Sequence, residues 1–358
     1  MPSDRIRGIR LERLQIPLAV PYKLAFGPVT AFDTVIAEII DDDGRSGFGE
    51  ATILTGYTPE TIDGCWQTIQ NIATKIAGGS FEAAKSAAFA HHHGAPFTVT
   101  ALVTAIEMLE GHPVLSPGDG IDVSLLAILS AMDEAGIEKE IAAHTQAGYE
   151  TIKVKIGWDV DDDLKRVAFI QSCLPPGVNI RIDGNQGYSK DDGVRFAASV
   201  DPTNIELLEQ PCHMDDWDAS KAIAEATNVP FMLDESIYGP PEIERAAKMG
   251  GVSYIKLKLM KAGSIDNLMA QLRLIRELGM QPVLGNGVAA DLGCWMECCV
   301  AHRMIDNAGE MNGFLKQTQP LFDAPLRVVY GRVQLPTKAP AFTEHSRFVR
   351  DSILIGEG

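Results

Sequence analysis

At 358 residues the chain exceeds what one hydrophobic core usually supports, so two domains are expected, although a (β/α)8 barrel alone can occupy about 250 residues. With 46% hydrophobic and 22% charged residues the profile is ordinary for a globular protein, and no apolar run is long enough to cross a bilayer. A net charge of -17 opposes nucleic-acid phosphates and anionic membrane surfaces, since both need a basic face to release counterions. The opening MPSDRIRGIRLERLQIPL alternates apolar and charged residues, which reads as a strand and not as a signal peptide, and places the protein in the cytoplasm. Alternation continues from Arg5 to about Thr52, with a hairpin in TVIAEIIDDDGRSGFGEA whose turn is DDDG. Residues 59 to 75 and 96 to 110 carry apolar positions at helical spacing; Pro96 opens the second helix, and Gly111 and Pro113 stop it. These elements predict an α+β capping domain over residues 1–115.

From Asp122 the pattern becomes apolar strands alternating with amphipathic helices: DVSLLAIL, TIKVKI, NIRID, IELLE, PFMLD, VSYIKLKL, QPVLGN and NAGEMN. Eight such runs favour an α/β fold with a parallel (β/α)8 TIM barrel over an open doubly wound sheet, and residues 116–325 are assigned to it. After Phe322, DAPLRVVYGRVQLPTKAP reads as a hairpin and extended tail, so residues 326–358 are expected to return to the cap. The six cysteines show no CxxC pair and no metal-finger spacing, which predicts reduced, buried thiols.

Chemistry-bearing residues recur at the period of the βα unit. Lys155 to Asp183 is 28 residues, and steps of 26, 25 and 24 then reach Glu209, Asp234 and Lys258. At the carboxyl ends of parallel strands all five would face one mouth, where barrel active sites are built. A single acid there could merely cap the next helix. Three in consecutive units suit a hard cation such as Mg2+, with water or substrate completing the octahedron. Lys153 and Lys155 share one face of their strand, where burial and mutual repulsion are expected to lower a lysine pKa toward the general-base range; the alternative is a rim pair that meets acids. Lys256 suits an ion pair as well as chemistry, and Lys261, past the strand, reads as solvated. The run His91, His92, His93 reads as solvated, because consecutive residues point in different directions, and His213 reads as a loop histidine.

KVKIG, DGNQG, LLEQP, MLDES and KLKLMKAG resemble the enolase superfamily, and within it the muconate lactonizing enzyme subgroup. The resemblance spans nearly the whole chain and implies a capping domain, a modified barrel and a C-terminal return. It implies Asp183, Glu209 and Asp234 as Mg2+ ligands, Lys155 and Lys258 as an acid/base pair on opposite faces of the substrate, and Lys153 as a residue tuning Lys155. The shared step would be removal of a proton α to a carboxylate. At the seventh strand Asn286 stands where a related branch has histidine, and EMN, Glu310 to Asn312, stands where dipeptide epimerases carry Asp-x-Asp, which argues against a dipeptide. The overall pattern is most similar to cis-3-hydroxy-L-proline dehydratases, implying formation of Δ1-pyrroline-2-carboxylate with proline epimerase side activity; the alternative is a racemase or epimerase of N-acylated amino acids or dipeptides. Tyr22, Phe26 and Tyr57 in two cap loops, with Asn185, Asn286 and Glu310, are the substrate-binding candidates. The expected partner is a small amino or imino acid, and a homo-oligomer is expected.

Overall fold

The structure is a computed structural model that describes residues 3–24, 27–54, 60–338, 341–342 and 346–356, with only the backbone described for residues 22–24 and 27–28. Three strands, β1 (Ile6–Leu24), β2 (Gly27–Asp41) and β3 (Ser46–Ile53), pair antiparallel in chain order. The DDDG turn joins β2 to β3, with Gly44 at φ 79°, a left-handed conformation that glycine adopts at no steric cost. Three helices follow: α1 (Ile62–Ile76), α2 (Phe81–Phe89) and α3 (Pro96–Leu109). The sequence reading missed α2; its N-cap Ser80, which accepts from Ala83 N, was the available signal. Helix α3 is apolar almost all round, and it lies directly on β3: a Cβ on Gly49 would come within 1.9 Å of Ala101 O.

The barrel region opens with β4 (Asp122–Ser124) and β5 (Ala127–Leu129), so the run expected as one strand is two. Thereafter strands and helices alternate: α4 (Glu134–Gln146), β6 (Thr151–Lys155), α5 (Val160–Cys173), β7 (Asn179–Asp183), α6 (Lys190–Ser199), β8 (Ile205–Glu209), α7 (Trp217–Ala226) and β9 (Phe231–Leu233). Then come α8 (Pro240–Met249), β10 (Val252–Leu257), the single turn α9 (Leu259–Ala262), α10 (Ile265–Glu277), β11 (Gln281–Leu284) and α11 (Asp291–Met304). Strands β5 to β11 form a seven-stranded sheet in chain order, every pair parallel. Apolar positions of its strands, such as Ile152, Val154, Ile180, Ile182 and Leu208, are buried, and the charged residues on the same strands are the exception to that apolar pattern.

The eighth expected strand, NAGEMN, is not one. It still bridges the two edges: Leu126 N donates to Gly309 O at 2.9 Å, and Glu310 N donates to Leu284 O at 3.1 Å. Asn312 N then donates to Glu310 O at 2.7 Å, which turns the chain before a ladder can grow. The predicted hairpin exists as β12 (Arg327–Val329) and β13 (Arg332–Gln334), but β13 pairs with β4 and not with the cap. Only the tail returns: β14 (Val349–Gly356) lies antiparallel beside β1, with Gly8 opposite Gly356. Among the described residues no helix is long and apolar enough to cross a membrane.

Two buried glutamates of the cap hold the two regions together by capping barrel helices, and a third caps one within the barrel. Glu107 of α3 accepts from Ile265 N at 2.8 Å and Asp266 N at 3.1 Å, at the start of α10. Glu50 of β3 accepts from Ala290 N at 2.6 Å and Gly293 N at 2.9 Å, at the start of α11. Glu297 of α11 accepts from Leu259 N at 2.8 Å, while its Oε2 is buried with no hydrogen-bond partner. Burial, only partly offset by these N–H groups, pushes the Glu107 carboxyl up to about 7 and that of Glu297 up to about 8. A carboxyl raised in the folded state binds its proton more tightly there than in the unfolded chain. Its contribution is therefore fully present below an ordinary value near 4.5 and is lost as pH rises toward 8. Thermal melts from pH 5 to 9 should show the melting temperature falling across that window, and Glu297→Gln, which keeps the acceptor and removes the titration, should flatten the slope.

Candidate active site

The strand ends place the predicted residues side by side. Lys155, Asp183 and Glu209 close β6, β7 and β8, and the sheet register sets Lys155 opposite Asp183 and Asp183 opposite Glu209. Asp234 directly follows β9 and Lys258 directly follows β10. Their side chains form an alternating row of charge. Lys155 Nζ lies 2.6 Å from Asp183 Oδ2, and Lys153 Nζ lies 2.8 Å from the same oxygen and 2.9 Å from Glu209 Oε2. Lys256 Nζ lies 3.1 Å from Glu209 Oε1 and 3.4 Å from Asp234 Oδ2, and Lys258 Nζ lies 2.7 Å from Asp234 Oδ1. Glu310 closes the row from beneath, contacting Lys153 at 2.8 Å and also Lys256. The two lysines expected to do chemistry thus stand at opposite ends of the row.

Burial alone would raise these carboxyls and lower these amines, but the neighbours decide the outcome. Against burial, the ammonium groups of Lys153, Lys155 and Lys256 hold Asp183 down to about 2, and Lys258 and Lys256 hold Asp234 well below the usual range. Glu209 goes the other way, to about 7, because burial and the Asp183 charge outweigh its lysines. Lys153 and Lys258 are both raised, since their carboxylates overcome desolvation. This corrects the expectation of lowered lysines: acids on the adjacent strands dominate over burial and repulsion. Lys261 corrects a second expectation. It is 3% exposed, its Nζ donates to Ile237 O at 3.2 Å and lies 4.3 Å from the Tyr238 ring centre, and burial followed by Lys258 lowers it to about 8. The turn α9 bends it back under the mouth.

The substrate candidates divide. Asn185 is at the row: it contacts Lys155 Nζ, its Nδ2 donates to Glu235 Oε1 at 2.9 Å, and its φ is 40°. Gln186 and Gln210 also have positive φ, so the turns after β7 and β8 hold strained, non-glycine backbone of the kind concentrated at functional sites. Asn286 is buried, accepting from Val288 N at 2.8 Å and contacting Met260 Sδ at 2.9 Å. Glu310 is committed to Lys153 and Lys256. Phe26 and Tyr57 lie outside the described residues, and Tyr22 is described only as backbone. His213 is exposed, as expected, whereas His92 is half-buried with Nε2 2.9 Å from Lys261 O. The sequence reading passed over Gln210, whose Oε1 accepts from Asp234 N at 3.0 Å, and Glu235; both sit inside the quoted motifs, one residue past an acid.

Among the described residues no three acids, cysteines or histidines stand ready around a metal, because lysine amines lie between the carboxylates. The donor chemistry nevertheless fits a hard divalent cation: Asp183 and Glu209 stand opposite each other at their strand ends, Asp234 follows directly past the next strand, and beside it the buried Glu235 Oε2 has no hydrogen-bond partner.

The sequence profile of the enolase C-terminal domain-like family matches residues 136–340. An L-Ala-D/L-Glu epimerase from Clostridium acetobutylicum is 28% identical over 297 residues, covering 78% of this chain and 82% of that protein. An N-succinyl-L-Arg/Lys racemase from Bacillus cereus is 25% identical over 338 residues, covering 90% and 92%. The crystal structure of a dipeptide epimerase from Cytophaga hutchinsonii, complexed with Mg and D-Ala-L-Val, superposes with a TM-score of 0.89 at 22% identity, over 98% of this chain and all of that one. With the profile matching more than half its length, the chain belongs to the enolase C-terminal domain-like family of the enolase superfamily.

Proposed function

We propose that this chain inverts the α-carbon of an N-acylated amino acid or a dipeptide, one lysine removing the α-proton and another returning one. The observation that carries the reading is the position of Lys155 and Lys258, one at each end of the carboxylate row. The epimerase and racemase activities of the relatives support it. They give no support to dehydration of cis-3-hydroxy-L-proline, so the alternative named above replaces that expectation.

In the proposed site Asp183, Glu209 and Asp234 would hold Mg2+, and its charge would lower the cost of the negative charge that builds on the substrate carboxylate. The electron pair of the broken C–H bond stays on the substrate, delocalised into that carboxylate. One amine takes the α-proton; the ammonium at the other end of the row gives its proton to the opposite face of the same carbon. Lys258, held protonated by Asp234 and Glu235, stands ready as donor. Lys155 stands at the far end beside Asn185. Lys153 and Lys256, two residues back on their strands, help hold Asp183 and Asp234 ionised from below.

Proton NMR in D2O with Mg2+ tests the reading on N-succinyl amino acids, N-acetyl amino acids, dipeptides and cis-3-hydroxy-L-proline. The expected result is deuterium at the α-carbon of an acylated amino acid or a dipeptide. Conversion of hydroxyproline to pyrroline carboxylate, with the acylated panel unchanged, would overturn it in favour of the dehydratase.

A further inference from the structure

Lys258 stands one residue past the ladder that holds β10. The last paired residue of that strand is Leu257, opposite Leu284, and Lys258 follows as the N-cap of α9 with φ -136° and ψ 135°. Lys155, by contrast, lies within its ladder, opposite Asp183. A helix start leaves its first N–H groups without partners inside the helix, and an N-cap side chain commonly supplies the acceptor. Lys258 makes no such cap: an ammonium accepts nothing, and its Nζ donates to Asp234 Oδ1 at 2.7 Å and Oδ2 at 2.8 Å. The acceptor comes instead from α11, 38 residues further along the chain, where Glu297 takes the Leu259 N–H at 2.8 Å. Glu297 is 1% exposed and its other oxygen has no hydrogen-bond partner. A buried, unpartnered carboxyl oxygen costs the fold stability, and the bond to Leu259 N is what this acid supplies.

We infer that Glu297 is a positioning residue for Lys258: by holding the first N–H of α9 it sets where the Lys258 backbone, and with it the amine, stands against the substrate. The inference rests on the epimerase reading above and gives one of its two lysines a dedicated support. Lys155 takes its place from the strand ladder, so the support acts on one face of the substrate only. Proton transfer to or from carbon is steep in distance, and a misplacement of about 1 Å can cost about 10²-fold in rate. Loss of the Glu297 acceptor should therefore slow the Lys258 face and leave the Lys155 face as it was.

The test reads α-proton exchange by NMR in D2O with Mg2+, separately from the two α-configurations of whichever acylated amino acid or dipeptide in the panel above wild-type enzyme exchanges fastest. The ratio of the two rates within one variant does not depend on how much of that variant is folded. Lys258→Ala identifies the configuration that Lys258 serves. Glu297→Met, which fills the space and removes the acceptor, should lower exchange from that configuration by about 10–100-fold relative to the other. Glu297→Gln, which keeps the acceptor, should restore the wild-type ratio. An unchanged ratio in Glu297→Met, whatever the absolute rates, or a ratio that Glu297→Gln shifts as far as Glu297→Met does, would overturn the inference while leaving the epimerase reading in place. Exchange by wild-type enzyme from no member of the panel would overturn both.

Discussion

Replacing Lys155 or Lys258 by alanine should lower inversion of the α-carbon by about 10²–10⁴-fold, the range a positioned acid or base contributes. The two variants should differ in a way that a merely structural role would not produce. With one amine gone, the other still faces its own side of the substrate, so α-proton exchange in D2O should persist for one configuration and vanish for the other. Lys155→Ala and Lys258→Ala should retain opposite configurations. Circular dichroism and melting of both variants would check that the fold survives, and this is expected for Lys155, whose side chain is 26% exposed. Unchanged inversion in both variants would remove the two-base assignment.

Glu310→Ala should have the largest effect on stability, about 3 kcal/mol, the lower end of the cost of breaking a buried ion pair. Lys153 and Lys256 both lean on this carboxylate, and both are almost fully buried. Asp183, Glu209 and Asp234 remain to share the load, which keeps the loss below that of a fully orphaned charge. Urea unfolding gives the answer as a lower midpoint at unchanged slope. A residue that only touched substrate would leave the midpoint in place and raise KM alone.

The sequence disclosed what depends on period and missed what depends on cross-chain geometry. Strand runs and the spacing from Lys155 to Lys258 are one-dimensional signals, and β6 to β10 carry each of those five residues at or directly past a strand end. Whether NAGEMN forms a strand rests on one backward hydrogen bond from Asn312, which no alternation records. The burial of Lys261 follows from a single turn of helix that bends the chain under the mouth. Glu50, Glu107 and Glu297 read in sequence as ordinary helix or strand acids, because the N–H groups they cap lie far along the chain. The sign of the Lys153 shift was misjudged for the same reason: repulsion within KVK is visible in one strand, while the stronger attraction comes from Asp183, Glu209 and Glu310 on other segments.

The pairing of Gly8 with Gly356 makes the cap sheet a structure that cannot be completed until the strand following the barrel has been made. During synthesis, at about 5–20 residues per second, β1 waits some tens of seconds with one edge unfilled while the whole barrel is made. An unfilled edge is a template for pairing with a stranger, so the nascent protein is most vulnerable to aggregation before β14 arrives. Removing β14 would make that temporary hazard permanent.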